Sequence, residues 1–483
     1  MVASSHRLRA DIEEPARPMA GIVHLGLGAF FRAHGAVYTA DAMALAGGDW
    51  GIVGASLRSR AQMDRLAPQG FAYTLATMKP DGPAYRTLEV LNDVLYAPND
   101  PEALISLMAA PTTRIVSLTI TEKGYCYDAA TQQLDLTNAD VIADIASPEA
   151  PLTAPGYMVA ALKRRHDLGL PPFTVLSCDN LSENGDVARR VVLDLAGEND
   201  PDLAAWIAEN GRFPCTMVDR IVPAATSDDI ASVETATGAY DAAPVMAEPF
   251  SQWVVEDDFV DGARPAWDEV GALLVDDVRP FESMKLRCLN GTHTAMAYLG
   301  FLAGYETVSA CAASALFGGF LKHLWANEII ATIDAPPGVD LGEYTDALRE
   351  RYTNPAIQHR LSQIAMDGSQ KLPQRILAPM ADNLTAGRPI EGQALVVAGW
   401  IRFVLGVDER GHAIDVRDPM ADVFKDIAAR REDDVQTVDA FLALNAVFPP
   451  DLAGNAKFRE AVTTAFSNLK NKGAAASVAA VVS

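Results

Sequence analysis

The segment Gly21-Ile-Val-His-Leu-Gly-Leu-Gly-Ala-Phe-Phe-Arg-Ala-His34 predicts the fold of the first half of this chain. Its apolar start is typical of a buried β-strand, and a helical pattern follows over residues 33–46. Gly26 permits a tight turn between the two, and Gly28 lets a pyrophosphate approach the backbone where a helix begins. The third glycine of the dinucleotide-binding fingerprint is absent, because Phe31 occupies its position. The strand before and the helix after the glycines support the motif, so the segment still predicts nucleotide binding.

Further segments alternate between strand and helix patterns through the first half of the chain. Apolar strand patterns recur at 50–57, 114–120 and 173–178, and a helical pattern at 157–167 precedes the last of them. Strands that alternate with helices predict a parallel, doubly wound sheet. The predicted fold class is therefore α/β, with a Rossmann-type N-terminal domain.

Long helical patterns dominate after residue 281, where loops rich in proline and glycine separate them. This change predicts two domains, 1–280 and 281–483, of which the second is mainly α-helical. The Ala/Val-rich tail after Lys472 is predicted to fray. The helical patterns cover 285–302, 309–333, 341–352, 357–366, 391–405, 420–431, 438–443 and 457–471.

The composition restricts the class of partner. A chain of 483 residues with 49% hydrophobic and 21% charged residues is ordinary for a soluble enzyme. The net charge of −24 opposes binding to nucleic acid or to an anionic membrane. The net charge does not exclude a small anionic substrate, because a local basic pocket can outweigh the negative field of the whole protein. Nothing in the acidic sequence indicates an obligate interface, which favours a monomer or a weak homo-oligomer.

The cysteine and histidine patterns predict a cytoplasmic protein without a metal site. The five cysteines are scattered and never form a C-x-x-C pair, which indicates reduced, mostly buried thiols. The eight histidines show no paired-ligand spacing, so we predict no metal. Residues 1–18 lack the apolar run of a signal peptide, and the apolar region 294–321 is interrupted by polar residues, which predicts packed helices rather than a membrane span.

The segment Lys285-Leu-Arg-Cys-Leu-Asn-Gly-Thr-His293 places a candidate base and two polar partners in an apolar helical pattern. Asn290 and His293 are three residues apart and share a helix face. Lys285 and His293 lie about 80° apart around the helix axis, so all three can line one wall of a cleft. Alternatively the segment is a buried helix start, in which Lys285 extends to solvent and His293 is a hydrogen-bonded core histidine. The spacing alone does not separate the two interpretations.

Polar residues also end several predicted strands. Asn180 follows the strand at 173–178, at the edge where open α/β sheets bind ligands, and can either donate to an oxyanion or cap a helix. The strand at 114–120 ends in polar residues in the same way. Asp219 precedes Arg220 among apolar neighbours, which is typical of a structural ion pair.

The end of the second strand bears on the choice of nucleotide. It reads Ser56-Leu-Arg58-Ser-Arg60, without the acidic residue that holds the adenosine ribose of NAD. Arg58 or Arg60 could hold a 2′-phosphate instead, so NADP is not excluded. The alternative is that these arginines form a solvated turn.

Several of these motifs resemble the long-chain mannitol dehydrogenase family of polyol and sugar-acid oxidoreductases. The resemblance runs in order and with compatible spacing from about Gly21 to beyond Ala475. Lys123 and Gln363 depart from the mannitol branch, where a glycine and an arginine stand, and they favour the sugar-acid branch. The motifs that carry the resemblance are Lys285-x-x-x-x-Asn290-x-x-His293, Gly26-x-Gly28-x-Phe30-x-Arg32-Ala-His34, Ser177-Cys-Asp-Asn180, Met217-Val-Asp-Arg-Ile221 and Glu248-Pro-Phe-x-Gln-Trp253.

The resemblance implies catalytic roles for four residues. Lys285 would be the general base that takes the hydroxyl proton as a hydride leaves for the nicotinamide. Asn180 and Asn290 would hold the developing alkoxide, and His293 would orient the substrate hydroxyl.

The resemblance also implies supporting residues and a division of labour between the domains. Residues 1–280 would bind NAD, with NADP not excluded, and residues 281–483 would bind the substrate and carry the catalysis without a metal. The implied proton relay is Glu282 and Glu122; the implied substrate-binding residues are Asp219, Lys371, Arg375 and Lys123; the implied cofactor-binding residues are Gly26, Gly28, Phe30, Arg32, Ser56, Arg58 and Thr119.

The expected reaction is the NAD-dependent interconversion of D-mannonate and D-fructuronate. The nearest alternative is the same chemistry on mannitol and fructose or on another polyol. A protein of a different class, which binds the nucleotide without turnover, is disfavoured by the intact set of Lys285, Asn290 and His293.

Overall fold

The structure, a computed structural model, describes residues 7–8, 17–128, 131–430 and 433–483. The chain divides into two compact units, Met1–Arg279 and Pro280–Ser483. No helix in the described part of the chain is long and apolar enough to cross a membrane.

The first unit is built on a five-stranded parallel sheet, which confirms the predicted fold class. Its order is β5-β2-β1-β6-β9, and each neighbouring pair is parallel. The chain order therefore reverses between β1 and β6, which is where open α/β sheets of this type bind ligands. The strands are β1 (Ala20–Leu25), β2 (Gly51–Ser56), β3 (Tyr73–Lys79), β4 (Gly82–Leu88), β5 (Leu91–Tyr96), β6 (Ile115–Leu118), β7 (Tyr127–Asp128), β8 (Gln133–Leu134), β9 (Thr174–Ser177), β10 (Thr216–Asp219), β11 (Val245–Ala247), β12 (Gln252–Glu256) and β13 (Leu273–Val275).

Both faces of this sheet are covered by apolar side chains. Alternate residues of a strand point to opposite faces, and in β6 Val116 and Leu118 join one core cluster whereas Ile115 joins another. The second cluster includes residues of the helix Gly35–Ala46 and of strands of the smaller sheets. The first includes residues of the helices Pro101–Ala109, Ala139–Ala146, Ala154–Asp167, Asn184–Asn199 and Pro201–Asn210. The helices of this unit are Ala29–Ala33, Gly35–Ala46, Ala61–Leu66, Pro101–Ala109, Ala139–Ala146, Ala154–Asp167, Asn184–Asn199, Pro201–Asn210 and Ser227–Thr237, with short 3-10 turns at Ala67–Gln69, Ala97–Asn99, Glu122–Tyr125, Val260–Gly262 and Asp268–Val270.

Sequence patterns predicted four strands of the large sheet, β1, β2, β6 and β9, to within two residues, but missed β5 and the smaller sheets. Those sheets have the orders β10-β12-β13 and β11-β3-β4, and β7 pairs with β8. Their members are short or pair strands distant in sequence, such as β11 with β3, so no local pattern shows the pairing.

The second unit is helical throughout its described core, as predicted. Four of its helical segments are π-helices, in which hydrogen bonds join residues five apart, and these are often found at functional sites. The π-helices are Lys285–Asn290, Met296–Gly300, Trp325–Ile329 and Pro373–Leu377. The α-helices are Arg279–Met284, which begins at the boundary, Gly291–Ala295, Val308–Ala313, Ala315–Leu324, Leu341–Tyr352, Leu361–Ile364, Gly368–Leu372, Ala378–Thr385, Glu391–Val404, Ala421–Ala429, Asp434–Leu442, Pro450–Ala453, Ala456–Lys472 and Ala474–Val482, with a 3-10 turn at Ile330–Thr332.

The helix predicted at 357–366 is wrong except for Leu361–Ile364. The backbone before that short helix pairs with another segment instead. Val308 N–H donates to the His359 carbonyl and Leu361 N–H donates to the Glu306 carbonyl, both at 3.0 Å. Pairing of this kind cannot coexist with the helical ladder.

The prediction of a frayed tail is also wrong. Ala474–Val482 forms a helix, and Ala474 and Val478 are buried in the core of the helical unit. The helix is anchored at its start, where the Ala474 N–H donates to the Glu409 carboxylate at 2.5 Å. Burial of one face stabilises a segment whose composition alone gave no such signal.

Candidate active site

The turn after β1 requires glycine at its first position. Gly26 has φ +88°, a left-handed conformation, and a Cβ there would collide with the Thr119 carbonyl. The Thr119 hydroxyl donates to the Gly26 carbonyl at 2.9 Å, and the Gly26 N–H donates to the Ala55 carbonyl at 2.8 Å. The turn is thus fixed between the ends of three neighbouring strands, and Thr119 shapes it.

Gly28 lies in a different environment. It precedes the short helix Ala29–Ala33 with extended backbone, φ −110°, and the nearest atom that an added Cβ would meet is 3.8 Å away. Arg32 Nε donates to the Gly28 carbonyl at 3.2 Å, and another guanidinium nitrogen donates to the Ala243 carbonyl at 2.5 Å. Arg32 is buried and holds the glycine turn through this hydrogen bond to Gly28; its cofactor role stays a prediction.

Two further predicted cofactor residues lie near the same edge of the sheet. Ser56 is buried at the carboxyl end of β2. Arg58, two residues on, is exposed, and its guanidinium is 3.5 Å from the Asp140 carboxylate. The ring of Phe30 stacks on that of His34 at 5.0 Å. The residues of the predicted cofactor set stay predictions, although the structure gathers several of them at the strand ends.

Asp179 joins the ends of β6 and β9. Its carboxylate accepts hydrogen bonds from the backbone N–H groups of Ile120 and Thr121, each at 2.9 Å, and from the Tyr125 hydroxyl at 2.8 Å. Burial raises the pKa of Asp179 above its ordinary value. The bonded segment is strained, because Thr121 has φ +64° without being glycine, and strain of this kind is concentrated at functional sites.

The hydrogen bonds of Asp179 fix the segments on which three predicted residues lie. Asn180 follows Asp179 directly and is exposed. Glu122 and Lys123 are exposed on the 3-10 turn that follows the bonded Thr121. Sequence reasoning named these three but missed Asp179, whose position directly after a buried strand was the available signal.

Asp219 ends β10 and is buried. The expected partner, Arg220, donates to two backbone carbonyls: to that of Glu248 at 3.1 and 3.0 Å, and to that of Ala33 at 2.5 Å. Arg220 therefore joins loops of the first unit, and burial lowers its pKa.

In the helical unit, Lys285 and Asn290 occupy the two ends of a π-helix. On a regular α-helix they would point about 140° apart. In a π-helix, backbone hydrogen bonds join residues that are five apart. The wide turn therefore changes the angle between the Lys285 and Asn290 side chains. Lys285 is only 8% exposed, and Glu282 lies half-buried one turn earlier in Arg279–Met284.

His293 follows on the same continuous helix and is 5% exposed. Burial lowers the pKa of His293 well below its ordinary value, and the positive fields of His359, Arg351, Arg375 and Lys285 lower it further. The imidazole is therefore neutral at physiological pH. It can orient a hydroxyl group without carrying a charge.

Two polar atoms of this helix are buried without a hydrogen-bond partner within the described residues. They are His293 Nε2 and Asn290 Oδ1. Buried polar groups are normally hydrogen-bonded, and exceptions of this kind call for an explanation such as ligand binding. A polyhydroxylated ligand would satisfy both atoms.

His359 extends this group, and sequence reasoning missed it. Its ring meets that of His293 edge-on at 5.6 Å, and burial together with the charge of Lys371 lowers its pKa to about 4. Lys371 Nζ donates to the Met366 carbonyl at 2.6 Å. Two of the predicted substrate-binding cations, Lys371 and Arg375, therefore lie near the polar segment 285–293.

Arg375 lies on a second π-helix, Pro373–Leu377, which packs closely on the first. A Cβ added at Gly291 would come within 3.0 Å of the Arg375 carbonyl, so the glycine permits the approach. Both interpretations of Lys285–His293, as the wall of a cleft and as a buried helix start, stay predictions.

A Rossmann-type unit together with a helical unit, in which Lys285 and His293 are buried and Asn290 is half-buried, is typical of an oxidoreductase. A model of the mannitol dehydrogenase Rossmann domain matches residues 20–269, and one of the mannitol dehydrogenase C-terminal domain matches residues 277–470. The chain belongs to the mannitol dehydrogenase family, whose members act on polyols and sugar acids.

Individual relatives span nearly the whole chain. A D-mannonate oxidoreductase of Escherichia coli (strain K12) is 48% identical over 464 residues, 95% of each chain. A mannitol 2-dehydrogenase of Aspergillus fumigatus is 39% identical and covers 94% of this chain and 91% of its own. The solved ternary complex of Pseudomonas fluorescens mannitol 2-dehydrogenase with NAD and D-mannitol is 36% identical, with a TM-score of 0.88, over 99% of this chain and 96% of that one.

Proposed function

We propose that this chain is an NAD-dependent, metal-independent dehydrogenase that interconverts D-mannonate and D-fructuronate. In this proposal residues 1–280 bind the dinucleotide, and residues 281–483 bind the sugar acid and carry the catalytic base. The five cysteines are free and buried, which supports the reducing cytoplasm as its location.

The observation that carries the choice of substrate is the positive charge around His293. Arg351 and Arg375 both act on its imidazole, and Lys371 acts on that of the adjacent His359. A sugar acid brings a carboxylate that is stabilised by such a field, whereas a polyol brings no charge. The identity of 48% to a D-mannonate oxidoreductase, against 39% to a mannitol 2-dehydrogenase, supports the same choice.

The residues after β1 fit a dinucleotide. The glycine turn has no side chain at Gly26 or Gly28, and it lies where the strand order reverses. Gly28 leaves its backbone open to a pyrophosphate, while Ser56 and Arg58 lie at the end of the strand that normally contacts the adenosine ribose. Arg58 pairs with Asp140 and Arg60 pairs with Asp64, so each cation of this strand end lies beside an acid, which favours NAD over a 2′-phosphate. Phe30, Arg32 and Thr119 would support the turn.

Lys285 is the general base in this mechanism. Its uncharged amine takes the proton of the substrate hydroxyl. Bound NAD would supply the acceptor for the hydride of the carbon that carries this hydroxyl group. In the reverse direction the protonated Lys285 returns its proton to the ketone oxygen.

Polar side chains hold the reacting oxygen and the rest of the substrate. The amides of Asn180 and Asn290 donate hydrogen bonds to the developing alkoxide, and the neutral His293 orients the hydroxyl. Glu282, one turn before the base, passes the proton on, with Glu122 as a second carboxylate.

The remaining predicted residues bind the rest of the sugar acid. Asp219 accepts a hydrogen bond from a substrate hydroxyl group. Lys371, Arg375 and Lys123 are the cations available to the carboxylate.

The direct test is a panel of sugar acids and polyols with NADH and NADPH. We expect NADH oxidation with D-fructuronate at a kcat/KM at least about tenfold above that with D-fructose, because a charge-assisted contact contributes about 1.5 kcal/mol or more. A preference for fructose would identify the chain as a mannitol 2-dehydrogenase, the alternative favoured by the structural similarity to the mannitol complex.

A chelator should leave the rate of NADH oxidation unchanged. Loss of activity that zinc restores would overturn the metal-independent mechanism.

A further inference from the structure

The π-helix at Lys285–Asn290 is a wide turn between two α-helical stretches, Arg279–Met284 and Gly291–Ala295. Such turns are rare, and they persist where other groups satisfy the backbone atoms that the α-helical ladder would otherwise use. The Gly291 N–H donates to the Leu286 carbonyl, five residues back. The carbonyls of Cys288 and Leu289 lie in the same turn.

Two side chains from other helices donate hydrogen bonds to these consecutive carbonyls. Trp325 Nε1 donates to the Cys288 carbonyl at 3.0 Å, and the Tyr352 hydroxyl donates to the Leu289 carbonyl at 2.9 Å. Both donors are buried. They come from the helices Trp325–Ile329 and Leu341–Tyr352.

The two aromatic rings form one unit with the catalytic segment. The rings of Trp325 and Tyr352 are stacked at 6.3 Å with an interplanar angle of 22°, and the ring of His293 lies 4.7 Å from that of Tyr352. The Thr292 hydroxyl is 3.0 Å from that of Tyr352 and donates to the Cys288 carbonyl at 2.6 Å.

We propose that Trp325 and Tyr352 are positioning residues that hold the π-turn open and thereby set the directions of Lys285 and Asn290. Both contact the backbone of the turn, and Tyr352 also contacts the ring of His293; neither is assigned a contact with the reacting atoms. If the turn relaxed to an α-helix, Lys285 and Asn290 would point about 140° apart, and one of the two would lose the substrate. This inference rests on the proposed function, since it assigns a role to the geometry of the proposed base.

The test is Tyr352→Phe, which removes the hydroxyl and keeps the ring stack. We expect kcat to fall about tenfold while KM changes less than about twofold, because misplacement of the base acts on the transition state. The pH profile of kcat should also shift, since the base changes its surroundings. Amides of residues 286–293 should exchange with solvent about fivefold faster.

Tyr298→Phe is the matched control. Tyr298 is equally buried in the same unit, and its hydroxyl donates to the Ala365 carbonyl at 3.2 Å. A general loss of stability would lower Tm similarly in both variants. Equal kinetic effects in the two variants, or an unchanged pH profile in Tyr352→Phe, would overturn the proposal.

Trp325→Phe provides a second route to the same test if Tyr352→Phe folds poorly. It removes the donor to Cys288 and keeps an aromatic ring in the stack, and we expect the same fall in kcat and the same faster exchange. A failure of the proposed function can be distinguished from a failure of the positioning role, because Lys285→Ala would retain turnover if Lys285 were not the base. Inactive Lys285→Ala together with fully active Tyr352→Phe and Trp325→Phe would reject only the positioning role.

Discussion

The glycine turn after β1 and the π-turn at Lys285–Asn290 each present backbone and side chains for chemistry, but they are built in different ways. The glycine turn follows from local sequence: φ +88° at Gly26 permits the turn directly after a buried strand. The π-turn depends on donors 37 and 63 residues away, Trp325 and Tyr352. A local motif is therefore sufficient to predict the first, whereas the second requires tertiary structure.

The largest expected effect concerns the π-turn. Lys285→Ala should lower kcat about 10³-fold, which is within the usual contribution of a general base, while NADH affinity stays within about twofold. Stopped-flow NADH oxidation and fluorescence titration measure the two quantities. Arg287→Gln is the control on the same helix, because Arg287 is paired with Asp382 at 2.6 Å and has no proposed catalytic role. Retained turnover in Lys285→Ala would remove the base from the mechanism.

The next-largest expected effect distinguishes the roles of Gly26 and Gly28 in the glycine turn. Gly28→Ala should fold normally, because its backbone is extended and the added Cβ meets nothing closer than 3.8 Å. It should nevertheless weaken NADH binding by roughly tenfold, since the methyl group takes the place of the pyrophosphate.

Gly26→Ala is the companion variant, and we expect it to lower both NADH affinity and Tm. The left-handed backbone and the Thr119 carbonyl oppose its new side chain. If Gly28→Ala binds NADH as the wild type does, the second glycine has no role in cofactor approach.

The sequence alone named some of the residues of the candidate site and missed others. Gly26, Lys285, Asn290 and His293 were named from motifs, and the parallel sheet followed from apolar strands that alternate with helices. His359 was missed because its segment was predicted as a helix.

The reasons for the misses are tertiary. Backbone pairing of the His359 segment with residues 306–308 replaces the helix there. Asp179 was missed because its three hydrogen bonds join segments more than 50 residues apart, and the tail helix was missed because only packing stabilises it.

The smallest effect is a pH dependence of stability in the helical unit. Glu328 is fully buried on the helix that carries Trp325, its carboxylate accepts from the Gly392 and Gln393 N–H groups at 2.7 and 2.8 Å, and burial raises its pKa to about 7. The folded state then binds more protons than the unfolded state between about pH 4.5 and 7. The free energy of unfolding should fall as the pH rises through this range, by at most about 3 kcal/mol from this group.

Glu328→Gln isolates this contribution from that of the buried histidines. The lowered pKa values of His293 and His359 act in the opposite direction, because neutral imidazoles stabilise the fold as the pH rises. Denaturant unfolding at pH 5, 6, 7 and 8 should therefore show a steeper decline for the wild type than for Glu328→Gln. Parallel curves would mean that Glu328 does not titrate in this range.

The most direct test of the central claim, that the cations around His293 select a sugar acid, is a binding measurement without turnover. Calorimetric titration of the wild type saturated with NADH gives the affinities for D-mannonate and D-mannitol, because neither can react with the reduced cofactor. We predict that D-mannonate binds at least about tenfold more tightly and that Arg375→Ala removes most of this difference. Equal or tighter binding of D-mannitol would contradict the account.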